Sequence, residues 1–128
     1  MCPCGLPQPY ADCCGRFHSG AAGNNAASSL HGGPPTAELL MRSRYAAFAV
    51  GDEAYLRASW DPATCPRQIG LDPTTRWTGL QIVGRTGGGL MEQWGTVEFR
   101  AQHTGGTVAE NSAFRRVGGR WVYVGPAS

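Results

Sequence analysis

The sequence predicts an α+β domain: helices first, then a four-stranded antiparallel meander whose sheet curls around the first helix, with a small cysteine-rich appendage in front. Three observations carry that prediction. Apolar residues recur at helical spacing after residue 36, they alternate with period two after residue 75, and four of the five cysteines fall within residues 2–14.

Cys2 and Cys4 are one residue apart, Cys13 and Cys14 are adjacent, and Pro3, Gly5, Pro7 and Pro9 bend the segment CPCGLPQPYADCCG, so all four sulfurs can converge within one loop. Adjacent cysteines close a disulfide only with strain, and C-x-C lacks the two-residue spacer of thioredoxin-type motifs. Zinc suits the set, because it takes four thiolates tetrahedrally at about 2.3 Å and has no redox chemistry of its own. The expectation is one structural zinc on Cys2, Cys4, Cys13 and Cys14, with free or oxidised thiols as the alternative. His18 and His31 are the available substitute ligands, although isolated histidines in such a stretch more often face solvent. Cys65, beside Pro66, reads as a small packed residue.

Residues 19–35, SGAAGNNAASSLHGGPP, are small and polar, and ordering them costs more backbone entropy than their contacts return. The reading is a knuckle at 1–18, a tether at 19–35 that leaves the knuckle partly independent, and a larger domain at 36–128. The tether either lets a docking module swing or is an insertion tolerated at the surface.

Within the larger domain, Thr36 caps a helix through AELLMRSRYAAFAV that Gly51 ends, and Asp52 caps a shorter one, EAYLRASW, closed by Pro62. At 100° per residue, Leu40, Met41, Tyr45, Ala47 and Phe48 share one face with Arg44 in its middle, while Glu38 and Arg42 form an exposed pair on the other side. RWTGLQIV makes a first strand, followed by a Gly-rich loop at 84–93. In WGTVEFRAQH the residues Val97, Phe99, Ala101 and His103 alternate with polar ones, and the glycine pairs at 105–106 and 118–119 turn the chain into two further strands. The third strand places Val108, Glu110, Ser112 and Phe114 on one side. Arg44 and Glu110 thus each stand where neighbours call for a hydrophobe. Either they pair inside, the usual remedy for buried charge, or Arg44 snorkels to the rim and Glu110 sits at the sheet edge.

All eleven positive charges are arginine, so lysine Schiff-base chemistry is excluded. The net charge of +2 falls to about zero with four thiolates on one divalent metal, which removes the electrostatic basis for nucleic-acid binding. There is neither an apolar run of bilayer length nor an export segment, so the expectation is a cytoplasmic protein with no membrane partner.

The cysteine segment resembles the SEC-C motif, the zinc knuckle of the SecA translocation ATPase, with C-P-C-G, an aromatic at Tyr10 and then C-C-G. That resemblance implies docking to a protein partner. The lysines that such motifs carry between the cysteine pairs are missing, and Asp12 precedes Cys13, so the partnership SecA makes with its chaperone SecB is not carried over. Over nearly its full length the chain is similar to the YchJ family of bacterial proteins, on CPCG at 2–5, CCG at 13–15, LMRSRYAAFAVGDEAYLRASWDP at 40–62, RWTGL at 76–80, GTVEFRA at 95–101 and GRWVYV at 119–124. The family implies a nuclear transport factor 2-like domain, a cone of strongly bent sheet filled by helix. Where the family tends to E-R-S-R-F, this chain has ENSAF at 110–114 and lacks both arginines.

Two functions follow. The first is a non-enzymatic module that docks a protein or holds a small ligand in the cone, its metal purely structural because four thiolates leave no open position. The alternative is a small-molecule isomerase or hydrolase, with Tyr45, Asp52, His103 and Glu110 as proton-transfer candidates and Trp77 as a pocket wall. The pocket candidates are therefore Arg44, Tyr45, Trp77, His103 and Glu110.

Overall fold

The structure is a computed structural model that describes residues 2–23 and 33–127. A 3-10 turn at Tyr10–Asp12 leads into α1 (Cys14–Gly23), and α2 (Ala37–Val50), α3 (Glu53–Ala58), β1 (Trp77–Gly87), β2 (Trp94–His103), β3 (Gly106–Val117) and β4 (Arg120–Pro126) follow. Of the expected tether, residues 19–23 complete α1, while residues 24–32, His31 among them, lie outside the described residues. The strands form one antiparallel sheet in the order β1-β2-β3-β4, the meander that the alternation predicts.

Local chemistry sets the boundaries of each element. The Thr36 hydroxyl accepts the Leu39 N–H at 3.2 Å to start α2, Gly51 ends it at φ 77°, and the Asp52 carboxylate accepts the Tyr55 N–H at 3.0 Å to start α3. Gly118 and Gly119, at φ 60° and 83°, make the two-residue turn between Val117 and Arg120, a conformation that L side chains resist. β1 runs to Gly87, taking the first residues of the expected 84–93 loop into the sheet. Register shifts at Trp77/Gly79 and Ile82/Gly84 in β1, and opposite Ala113/Phe114 in β4, where Val124 is the extra residue, mark bulges, the usual device for bending a strand.

The core lies between α2 and the sheet. Val97, Phe99 and Ala101 of β2 are buried as the alternation predicts, and Ser112 and Phe114 of β3 join them, whereas Val108, at the far end of the same face, is 41 % exposed. α2 buries more than the expected face, because Ser43, Ala46 and Ala37 are covered as well. Ala37 is covered by the chain after β1, where its N–H donates to Gly88 O at 3.0 Å. On the other side lies the knuckle, whose four cysteines belong to the same buried cluster as Leu40, Met41, Tyr45 and Ala46. That packing corrects the picture of a partly independent knuckle.

The segment after α3 also joins the sheet. Tyr123 donates its N–H to Ser59 O at 2.9 Å and Asp61 donates to Tyr123 O at 2.8 Å, so residues 59–61 run alongside β4 as an extra edge, and Trp60 bridges to Tyr123 in parallel. No described helix is long and apolar enough to cross a membrane.

Candidate metal centre and internal cavity

The knuckle is built by two turns that bring the cysteine pairs together. Cys2 donates its N–H to Gln8 O at 2.8 Å and Gly5 donates to Cys2 O at 3.0 Å, a turn that needs Gly5 at φ 97°. Cys13 donates to Tyr10 O at 3.1 Å, after which α1 begins at Cys14. Gly15 has to lack a side chain, because a Cβ there would lie 2.7 Å from Tyr10 O and 2.9 Å from the Tyr10 ring. Both glycines of the C-P-C-G and C-C-G signatures thus have steric reasons.

The result is four buried sulfurs, all within 4.8 Å of one another, with Cys4 and Cys13 Sγ 3.7 Å apart and Cys13 and Cys14 Sγ 4.0 Å apart. Four ligands 2.3 Å from a central ion sit about 3.8 Å from each other in a tetrahedron, so the cluster fits a tetrahedral metal with small adjustments. All five cysteines are free thiols. Thiol hydrogen bonds, Cys14 foremost, hold Cys4 down to about 5. Burial pushes Cys13 up to about 11, and Cys14, whose proton Cys4 holds, is pushed up further still. Cys4 is thus the readiest of these three to ionise, while burial and the neighbouring sulfurs hold the protons on Cys13 and Cys14. A divalent cation held by the four sulfurs would supply the counter-charge that lets them ionise together.

His18 is not solvated, as the polar stretch suggests, but 3 % exposed and outside the sulfur cluster. Its Nε2 donates to Ser43 O at 2.8 Å, which leaves Nδ1 to accept the Tyr10 hydroxyl at 2.5 Å. Asp52 Oδ2 lies 3.9 Å from Nδ1. Burial lowers the His18 pKa, so the ring packs neutral against Tyr55, with the centroids 4.4 Å apart. Tyr55 in turn donates to Ser43 Oγ at 2.6 Å, and Ser43 Oγ donates to Leu40 O at 2.7 Å. The band staples α1 to α2 and α3. On the neighbouring side Arg42 Nη1 donates to Cys4 O at 2.8 Å while its Nε holds Glu38 at 3.0 Å, and Arg85 reaches the same carboxylate. The Glu38–Arg42 pair is accordingly part of the knuckle's seat and not an exposed ornament of α2. Cys65 is half-buried and receives only a long 3.9 Å approach from Arg57 Nη1, so it is less enclosed than the sequence suggests.

Between α2 and the sheet lies a cavity of about 180 Å³. Helix α2 contributes Met41, Arg44, Tyr45 and Phe48; the sheet contributes Trp77, Phe99, Ala101, Val108, Glu110, Ser112 and Tyr123; and Trp60 closes one wall. Four of the sequence candidates therefore meet here: Arg44, Tyr45, Trp77 and Glu110. His103 is not in the lining. It stands against the Trp77 ring at 5.1 Å and accepts the Gly105 N–H at 3.0 Å in the turn. Asp52 stays at the α3 cap, away from the cavity.

Arg44 is buried, as one of the two sequence readings requires, but Glu110 is not its partner. Arg44 Nη1 donates to Leu56 O at 2.9 Å and Ser59 Oγ at 2.8 Å, and its Cζ lies 4.7 and 4.5 Å from the Trp60 and Tyr123 ring centroids. Glu110 Oε2 accepts the Ser112 hydroxyl and, at 2.8 Å, the Tyr123 hydroxyl. Tyr123 stands between the two charges, offering its face to one and its O–H to the other. Burial lowers the Arg44 pKa to about 10, and burial together with the Glu110 carboxylate raises that of Tyr123. Sequence reasoning passed over Tyr123 and Trp60. Tyr123 had a signal, its period-two relation to Trp121 in RWVYV, while Trp60 reaches the site only through pairing of residues 59–61 with β4.

Comparison with known proteins agrees with this architecture. Residues 36–126 match the family described as YchJ, middle NTF2-like domain. A UPF0225 protein of Streptomyces avermitilis is 54 % identical over 96 % of this chain and 81 % of its own length, and one of Deinococcus radiodurans is 38 % identical over 98 % and 88 %. Among solved structures, a SEC-C motif containing protein from Psychrobacter arcticus matches with a TM-score of 0.70 at 29 % identity, covering 99 % of this chain and 81 % of that one. The solution structure of a SEC-C motif containing protein from Rhodopseudomonas palustris matches with a TM-score of 0.69 at 32 % identity, covering 96 % and 94 %. With the sulfur cluster in front and the helix-on-sheet domain behind it, the chain belongs to the YchJ family of SEC-C motif proteins.

Proposed function

We propose that this protein is a non-enzymatic, cytoplasmic binding module. One structural zinc on Cys2, Cys4, Cys13 and Cys14 fixes the knuckle, the cone of bent sheet holds a small ligand, and the knuckle side docks a protein partner. The observation that carries the reading is the set of four buried sulfurs within 4.8 Å of one another. Four protein ligands complete a tetrahedral shell, so the metal would supply shape and counter-charge, with no vacant position at which to activate water. The same shell seats the knuckle on α2 through Arg42 and His18, which ties metal binding to the stability of the larger domain.

Native mass spectrometry of the full chain tests the metal. The expected result is one zinc per chain and no disulfide, with chelation lowering the thermal midpoint of the whole protein. A metal-free chain that is equally stable, or one oxidised at Cys13 and Cys14, overturns the reading. Docking is tested by comparing partners captured by the intact chain and by a Cys13→Ser, Cys14→Ser variant. Identical partners would remove the knuckle from the interface.

A further inference from the structure

Arg44 has more hydrogen-bonding capacity than the protein uses. Its side chain is 3 % exposed and lines the cavity, yet only Nη1 donates to protein atoms, to Leu56 O and Ser59 Oγ. Nε and Nη2 make no hydrogen bond to any described residue, and among the described residues no carboxylate pairs with the guanidinium. Glu110, the acid that shares the lining, has its Oε2 engaged by Ser112 and Tyr123. A buried guanidinium with its side-on donor pair unspent is matched by a carboxylate, which takes two parallel N–H bonds in one plane. Around it the lining is apolar and aromatic, with Trp77 of β1 edge-on to Tyr45 and tilted against Phe48 of α2.

Size limits the rest of the ligand. An apolar cavity of roughly 150 Å³ holds benzene. At about 180 Å³, this one suits a single ring with a short acidic tail and is too small for a nucleotide.

We propose that the cavity binds a small carboxylate with an aromatic or similarly sized apolar body, the carboxylate on Nε and Nη2 of Arg44 and the body among Tyr45, Phe48 and Trp77. This rests on the ligand-binding reading above and names the class of ligand. Glu110 is the selectivity element: it disfavours a second negative charge on the ligand, and its replacement by the isosteric amide strengthens binding of a monocarboxylate.

The test is calorimetric titration of the metal-loaded full chain with phenylacetate and with neutral phenylacetamide, metal content and unfolding midpoint being measured on the same sample. Phenylacetate is expected to bind saturably, and the amide about tenfold or more weaker. Arg44→Met should weaken phenylacetate about tenfold or more, and Glu110→Gln should tighten it several-fold. If Arg44→Met fails to fold, Glu110→Gln decides, since weaker binding by that variant overturns the proposal. Equal affinity for acid and amide overturns the ligand class while leaving a ligand-binding cavity. No saturable uptake of either probe by a chain with full metal content and an unchanged midpoint overturns the carboxylate site and leaves the structural metal standing.

Discussion

Replacing Arg44 by methionine asks whether a buried charge is kept for stability. Burial brings the Arg44 pKa from 12.5 down to about 10. At about 1.4 kcal/mol per pH unit, that difference is an uncompensated cost on the order of 3 kcal/mol. Against it stand two charge-assisted hydrogen bonds from Nη1, worth roughly 1.5 kcal/mol each, and the packing of the cation on Trp60 and Tyr123, worth about 1 kcal/mol more than the sulfur–aromatic contacts a methionine would make. Leu56 O is not orphaned by the change, because Ser59 Oγ also donates to it at 3.3 Å. These contributions cancel to within about 1 kcal/mol, so Arg44→Met should shift the urea midpoint of the metal-loaded protein only slightly and its melting temperature by less than about 5 °C. Had Arg44 been half of a buried ion pair with Glu110, removing it would cost about 3–5 kcal/mol. A loss of that size, with an unchanged m-value, would refute the reasoning and make Arg44 a structural residue.

Gly15→Ala should be harmful although alanine is favoured over glycine inside helices by about 1 kcal/mol, because its methyl would sit 2.7 Å from Tyr10 O. The expected outcome is at least about tenfold weaker metal retention, measured by competition with a chromophoric chelator, and unchanged retention would show that the Tyr10 turn does not position the sulfurs. His18 packs neutral with its pKa held below the ordinary 6.5 by burial, so the unfolded chain takes up a proton that the folded one resists, and stability present above about pH 6.5 is lost as the pH falls below it. His18→Gln keeps a donor for Ser43 O and an acceptor for Tyr10, and should flatten the stability profile between about pH 7 and 5.5 at constant metal content. An identical slope in both proteins would place the titration elsewhere.

Legibility in the sequence followed how local each cause was. The Thr36 and Asp52 caps, the Gly51 stop and the Gly118–Gly119 turn act within a few residues and stand where the sequence places them. The turn expected at 105–106 instead sits at Thr104 and Gly105, with Gly106 already paired to His103. The face of β2 was legible because alternation depends only on the pleat. The width of the buried face of α2 was not. Ser43 and Ala46 are covered because the knuckle lies on them, and nothing within α2 announces a second packing partner. Likewise, wheel and alternation put Arg44 and Glu110 toward the same interior, but a projection of faces carries no distances, and Tyr123 came between them. His103 shows the same limit, alternating correctly with its neighbours yet standing beyond Trp77 at the end of β2.

By itself the sequence determined the two capped helices, the meander that follows them and the four thiols that form the cluster, because chirality, pleat and capping chemistry operate over neighbouring residues. Helix α1, which runs into the stretch that reads as a tether, was not legible in it. Only the tertiary structure decided that the knuckle is seated on α2 by Arg42 and His18, and that Trp60, held by the pairing of residues 59–61 with β4, walls a cavity in which Arg44 keeps two donors unspent. Those outcomes join separate segments, His18 and Ser43 lying 25 positions apart and Cys4 and Arg42 38, and their energies depend on burial and relative orientation that no short window of the chain contains.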